Sequence, residues 1–145
     1  MSQEVVEHRE GDELRQGLEH AVAQCQAHGA KWTQLEKVEG KHGGIGHLGL
    51  VQDRNGVVRR MICYGRKDFH VKTQSVGVFE SLVLKAREAN ASHFVVYFIR
   101  RGNAYVFPRE SWYGKGDYWG EPTREYSIRN RTRFGDWLEK GMTDA

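Results

Sequence analysis

The sequence predicts an α/β domain, with α+β as the alternative class, built on a central mixed sheet of four to five strands with two main helices beside it. The hydrophobic patterns follow the order helix, hairpin, helix, hairpin, which is typical of such layered domains. With 145 residues, 39% of them apolar, the chain has the size and the core material of one domain, residues 1–145. Within it we expect a flexible N-terminus, 1–11, and a basic aromatic segment, 112–145, packed on or beside the sheet.

Two segments have the spacing of amphipathic helices. Asp12–His28 carries apolar residues every three or four positions, with Asp12 as the N-terminal cap and Gly29 as the stop. A second helix is predicted from Val76 to Ala89 with Ser75 as its cap, and its stripe is apolar enough to lie against a sheet.

The clearest local prediction is a β-hairpin. His47–Val51 and Val57–Tyr64 have strand patterns, and Asn55-Gly56 between them supplies the positive φ values that short turns require. His93–Arg100 is rich in β-branched and aromatic residues and predicts a further strand, which a turn joins to Ala104–Phe107.

The remaining segments are less regular. The patterns predict an ambiguous stretch at Trp32–Val38, a glycine-rich loop at Gly40–Gly46, a short extended piece at Phe69–Thr73, an irregular loop at Trp112–Glu125 and a closing helical turn at Phe134–Lys140.

Basic residues are concentrated late in the chain. Between Arg100 and Arg133 there are eight Arg or Lys residues against four acids, a net charge of +4 in a protein whose total is +3. Such a cluster favours a polyanionic partner, and a solvated charged face explains the same residues.

Aromatic rings alternate with these basic residues. Arginine grips phosphate with paired hydrogen bonds and flat rings stack on bases, so the combination is typical of a nucleic-acid groove. Arg129, Arg131 and Arg133 would project to one side if that stretch were extended. The alternative is that the rings pack on the sheet. The predicted nucleic-acid-binding residues are Lys115, Tyr118, Trp119, Arg124, Arg129, Arg131 and Arg133.

A candidate catalytic group precedes the second helix. Asp68 and Glu80 are carboxylates that could hold Mg²⁺, His47 could complete the metal site, and Lys72 could stabilise charge that develops on a phosphate. Ion pairing at an exposed turn is the alternative explanation. A second candidate metal site is the pair His42 and His47, five positions apart across the glycine-rich loop, for which no third ligand is evident.

The order of the segments Asp12–His28, His47–Tyr64, Val76–Ala89 and His93–Phe107 resembles that of the PD-(D/E)XK nuclease superfamily, the restriction-endonuclease-like fold. The likeness spans about two thirds of the chain. It implies Mg²⁺-dependent cleavage of DNA, with an aspartate on the first hairpin strand and Glu-x-Lys on the second. Here those positions fall around His47 and Cys63–Gly65, which do not match. The acids have therefore moved, to Asp68 and Glu80, or catalysis is lost and binding retained.

We therefore expect a DNA-binding protein with a nuclease-like core, acting on double-stranded DNA, either as a divergent Mg²⁺-dependent endonuclease or without cleavage. The alternative is an inhibitor or adaptor with an aromatic and arginine-rich protein interface, as a homodimer or with another partner. Two cysteines without a CxxC spacing, and no apolar run near membrane-spanning length, predict a cytoplasmic protein that does not enter membranes.

Overall fold

The computed structural model describes residues 3–41 and 43–144, with side chains from residue 11 onward. In these residues the fold is α/β, with a mixed six-stranded sheet, a three-stranded sheet and three helices. In chain order the elements are α1 (Gln3–Ala27), β1 (Lys31–Glu39), β2 (Ile45–Gln52), β3 (Val58–Arg66), β4 (Ser75–Phe79), α2 (Glu80–Glu88), β5 (His93–Phe98), β6 (Asn103–Pro108), β7 (Gly114–Tyr118), β8 (Glu121–Ser127), β9 (Thr132–Arg133) and α3 (Phe134–Glu139).

The large sheet has the strand order β1-β2-β3-β5-β6-β9. Among its neighbouring strands, β3 and β5 form the one parallel pair. The prediction of four to five strands was too low. The ambiguous stretch around Trp32–Val38 is the edge strand β1, which pairs with β2 across the glycine-rich loop. The two-residue strand β9 adds the opposite edge.

The first hairpin is confirmed. Strands β2 and β3 pair antiparallel, and Asp53 orders the turn between them: its Oδ1 accepts hydrogen bonds from the backbone N–H groups of Asn55 and Val57, both at 2.9 Å. Such side-chain bonds to nearby backbone are the reason aspartate favours turns.

The second sheet, of order β4-β8-β7, was not predicted. The supposed loop at Trp112–Glu125 contains the β7–β8 hairpin, in which Tyr118 faces Glu121 across a two-residue turn. Trp119 and Gly120 form that turn with φ values of 54° and 87°. Two positive φ values are the mark of the turn whose twist matches paired strands.

The second helix is shorter than predicted. Its first part, Ser75–Phe79, is the strand β4, and α2 begins at Glu80 without a side-chain cap. The β-branched Val76 and Val78 pair with β8, and Gly77 between them disfavours helix, so the tertiary pairing decides the conformation.

Two smaller differences and one agreement remain. The first helix begins at Gln3 rather than Asp12, since Gln3–Gly11 has no proline and is rich in glutamate, a good helix former. Phe69–Thr73 is mostly turn, with one bridge between His70 and Ser75. The closing helix at the C-terminal end is confirmed as α3.

The core has two halves, one on each face of the large sheet. On one face, Met61 and Cys63 pack with residues of α1 and α3. On the other, Ile62 and Tyr64 pack with α2 and the small sheet. This alternation along β3 is the one that the two-residue period of a strand produces. In the part of the chain that the structure describes, no helix combines the length and the apolar character needed to span a membrane.

Candidate nucleic-acid interface

Two pairs of basic residues meet at one end of the large sheet. Arg66 and Lys67 stand at the end of β3, and Arg100 and Arg101 follow β5. Because β3 and β5 are parallel neighbours, both pairs lie at the same sheet end. The backbone N–H of Arg100 donates to the carbonyl oxygen of Lys67 at 3.0 Å. We call these four residues the basic cluster.

One carboxylate accompanies the basic cluster. Asp68 Oδ1 accepts a hydrogen bond from Arg101 Nε at 3.0 Å, and the Arg101 guanidinium lies over the ring of Phe69, 4.6 Å from its centre. The hydrogen bond from Arg101 is the main reason that the pKa of Asp68 lies below its usual range. Asp68 is therefore an anion at neutral pH and offsets one of the four positive charges.

A cleft of about 860 Å³ opens beside the basic cluster. It lies between the N-terminal part of α1, the glycine-rich loop, the end of β3 and the small sheet. Its charged lining is mixed: the acids are Glu13, Glu39 and Asp68, and the bases are Lys37, Arg66 and Lys67. Tyr64 also lines the cleft, and its buried hydroxyl has no hydrogen-bond partner among the described side chains.

The β7–β8 hairpin carries two aromatic rings, one of which lines the cleft. Tyr118 lines it and packs edge-on against Phe79, with ring centres 5.8 Å apart. Trp119 at the tip is 88% exposed, and its ring centre is 6.2 Å from that of Tyr118. Lys115 is exposed on the same hairpin. These three predicted residues are thus near one another and open to solvent.

Arg124 has a different environment. Its guanidinium lies over the Trp112 ring at 4.5 Å, and Nη2 pairs with Glu80 Oε1 at 3.4 Å. Only 11% of the side chain is exposed. A guanidinium held in this way stabilises the contact between α2 and β8, and it presents little surface to a phosphate.

The three alternating arginines do not form a row. The chain turns at Arg129 and Asn130, with φ of 64° at Asn130, instead of continuing as a strand. Arg131 is partly buried and its Nε donates to the carbonyl oxygen of Ser127 at 3.3 Å, while Arg129 and Arg133 are exposed. The extended conformation that would place all three on one side is absent from this described stretch.

Each of the three predicted metal ligands has a partner within the protein. Asp68 is bound by Arg101, Glu80 by Arg124, and His47 Nδ1 by the amide of Gln34 at 2.8 Å. Burial, followed by the charge of Lys37, lowers the pKa of His47. No group of three His, Cys, Asp or Glu side chains converges within 3–41 and 43–144.

The sequence also predicts roles for Lys72 and His42 in the candidate sites. Lys72 is exposed in the turn between His70 and Ser75, and it is not part of the cleft lining. His42 lies outside the described residues, so the second candidate metal site, His42 with His47, stays a prediction.

The sequence reasoning missed the basic cluster. Its signal was present as two dibasic pairs, each at the end of a strand pattern, but 34 positions separate Arg66 from Arg100. Only the parallel pairing of β3 with β5 brings them together. In comparisons with known proteins, no family model, no curated protein and no solved structure matches this chain.

Proposed function

We propose that this chain binds double-stranded DNA, with the basic cluster in contact with the phosphates. The observation that carries the proposal is the meeting of Arg66 and Lys67 with Arg100 and Arg101 at one sheet end. Four cations with one paired carboxylate make a site of positive charge, which is what a phosphate backbone selects. The net charge of +3 on the whole chain has the same sign.

The order of elements supports a nuclease-like core. A helix, a three-stranded antiparallel unit, a second helix and a strand parallel to β3 follow the plan of the restriction-endonuclease-like fold. We propose this relationship for the fold and binding without cleavage for the activity, because Asp68 and Glu80 each neutralise an arginine. Carboxylates that are already paired this way have fewer oxygens free for a metal ion.

A protein interface is the second candidate function. Tyr118 and Trp119 on the β7–β8 hairpin and Tyr113 just before it are all more than half exposed, and aromatic residues are enriched at the centres of protein interfaces. Loss of a protein partner in the Trp119→Ala variant, with DNA affinity unchanged, would favour this function.

Binding of a labelled DNA duplex at increasing salt tests the proposal. Contacts from the three cations that have no carboxylate partner in the basic cluster, Arg66, Lys67 and Arg100, predict a slope of about −2.7 for log affinity against log salt, which is a loss of about fortyfold between about 50 and about 200 mM. An affinity that does not change with salt would remove the phosphate contacts on which the proposal rests.

A further inference from the structure

We infer that the β7–β8 hairpin stacks on an unpaired base, so that the chain prefers DNA in which a single strand leaves the duplex. This inference rests on the proposed DNA binding and adds the structural feature that the site recognises. Trp119, at the tip of the hairpin, is 88% exposed.

The backbone at Trp119 is unusual for its residue type. Its φ of 54° lies in the left-handed region, which turns of this kind normally fill with asparagine, aspartate or glycine. A large ring in this conformation makes the turn less stable. Because the ring is exposed to solvent, its burial does little to stabilise the fold. Strain of this kind is concentrated at functional sites.

The hairpin places the two rings next to each other on a closed turn. Asp117 Oδ2 accepts a hydrogen bond from the Gly120 N–H at 3.1 Å and so closes the turn. The next ring, Tyr118, is fixed against Phe79 and faces the cleft. A base could therefore stack on Trp119 without ordering a flexible loop, and its strand would continue past Tyr118.

The charges of the cleft fit a base better than a duplex backbone. Its acids, Glu13, Glu39 and Asp68, repel phosphate, while its acids and bases together offer both acceptors and donors to the edge of a base. Arg66 and Lys67 of the basic cluster also line the cleft and supply the phosphate contact. Single strands bind where a basic groove adjoins aromatic stacking surfaces, and this arrangement has both features.

A forked DNA, with one unpaired arm, and a blunt duplex of the same sequence test this inference. We expect the protein to bind the fork about tenfold more tightly, since stacking of one base on an aromatic ring contributes a preference of this order. Trp119→Asn introduces the Asn-Gly pair that such turns favour, so the hairpin should fold while the ring is lost. This variant should bind both DNAs with the affinity that the unchanged protein shows for the blunt duplex.

Two further variants make the readout specific. Trp119→Phe keeps a ring and should retain most of the fork preference. Tyr113→Asn removes another exposed ring of the same region, which does not line the cleft, and should leave the preference unchanged. Equal affinity of the unchanged protein for fork and duplex, or a fork preference that survives Trp119→Asn, would overturn the inference and leave the proposed DNA binding intact. Failure to bind either DNA would overturn both.

Discussion

Arg101 and Asp68 form an ion pair between the segments that follow two parallel strands, with Nε and Oδ1 3.0 Å apart. The pair links the end of β3 to the turn after β5. Arg101 belongs to the basic cluster, and Asp68 lines the cleft. Asp68 was predicted as a metal ligand, whereas its position beside Arg101 gives it the role of neutralising a cation. These two roles predict opposite effects of removing its charge.

Asp68→Asn should strengthen DNA binding. The amide keeps the shape of the side chain but carries no charge, so Arg101 is no longer neutralised and becomes available to a phosphate. The salt slope should also steepen by about one contact. Duplex titrations at two salt concentrations measure both quantities. Weaker binding, or the loss of an Mg²⁺-dependent cleavage seen in the unchanged protein, would return Asp68 to the catalytic role that the family resemblance implies.

The basic cluster should contribute more to DNA affinity than the arginines of the C-terminal segment. Lys67→Gln with Arg100→Gln removes two of its cations and leaves the Arg101–Asp68 pair in place, so the salt slope should fall by about two. Arg129→Gln with Arg133→Gln is the matched control, since it removes two exposed cations from the turn and edge strand. A larger loss in this second variant would show that the segment predicted from sequence is the main contact.

The sequence predicts those elements whose local chemistry agrees with their final pairing. Asn55-Gly56 determines the first hairpin, and the alternation along β3 predicts which residues face each half of the core. The β7–β8 hairpin was missed because Trp119 occupies a turn position where asparagine or glycine is expected, so the segment looks like a loop.

The site was less predictable than the fold because it depends on distant pairings. Arg124 looks like a free cation in the sequence, and only the packing of α2 against β8 gives it Trp112 and Glu80 as partners. The basic cluster requires the parallel register of β3 and β5, which no local pattern encodes. Lys115, Tyr118 and Trp119 are exposed on one short hairpin, and their contact with nucleic acid stays a prediction.

Gly17→Ala should destabilise the fold. A Cβ atom at Gly17 would lie 2.5 Å from the carbonyl carbon of Tyr64, and this contact is between a buried helix face and strand backbone, which cannot rotate away. Alanine normally favours a helix by up to about 1 kcal/mol over glycine, but forced overpacking costs about 1–3 kcal/mol, so the clash should dominate.

Gly11→Ala in the same helix is the control for Gly17→Ala. A Cβ atom at Gly11 meets nothing within 4 Å, so only the helix propensity changes and the free energy of unfolding should rise by about 0.5–1 kcal/mol. Urea denaturation of both variants measures the two changes. An equal gain in stability at both positions would contradict the close packing of α1 on β3.

Acidification should destabilise the protein partly through His93. The side chain is 4% exposed, and burial is the main cause that lowers its pKa, opposed by Asp144, whose carboxylate accepts a hydrogen bond from Nε2 at 2.9 Å. Because the folded state then binds fewer protons than the unfolded state, its stability is full above the unfolded pKa of about 6.5 and falls as the pH drops below it.

His93→Asn should flatten the dependence of unfolding free energy on pH between about 7.5 and about 5, although it lowers stability overall. Asp144→Asn removes the group that raises the pKa of His93 and should steepen that dependence. If the slope of unfolding free energy against pH were the same in both variants as in the unchanged protein, His93 would be excluded as a source of the pH dependence.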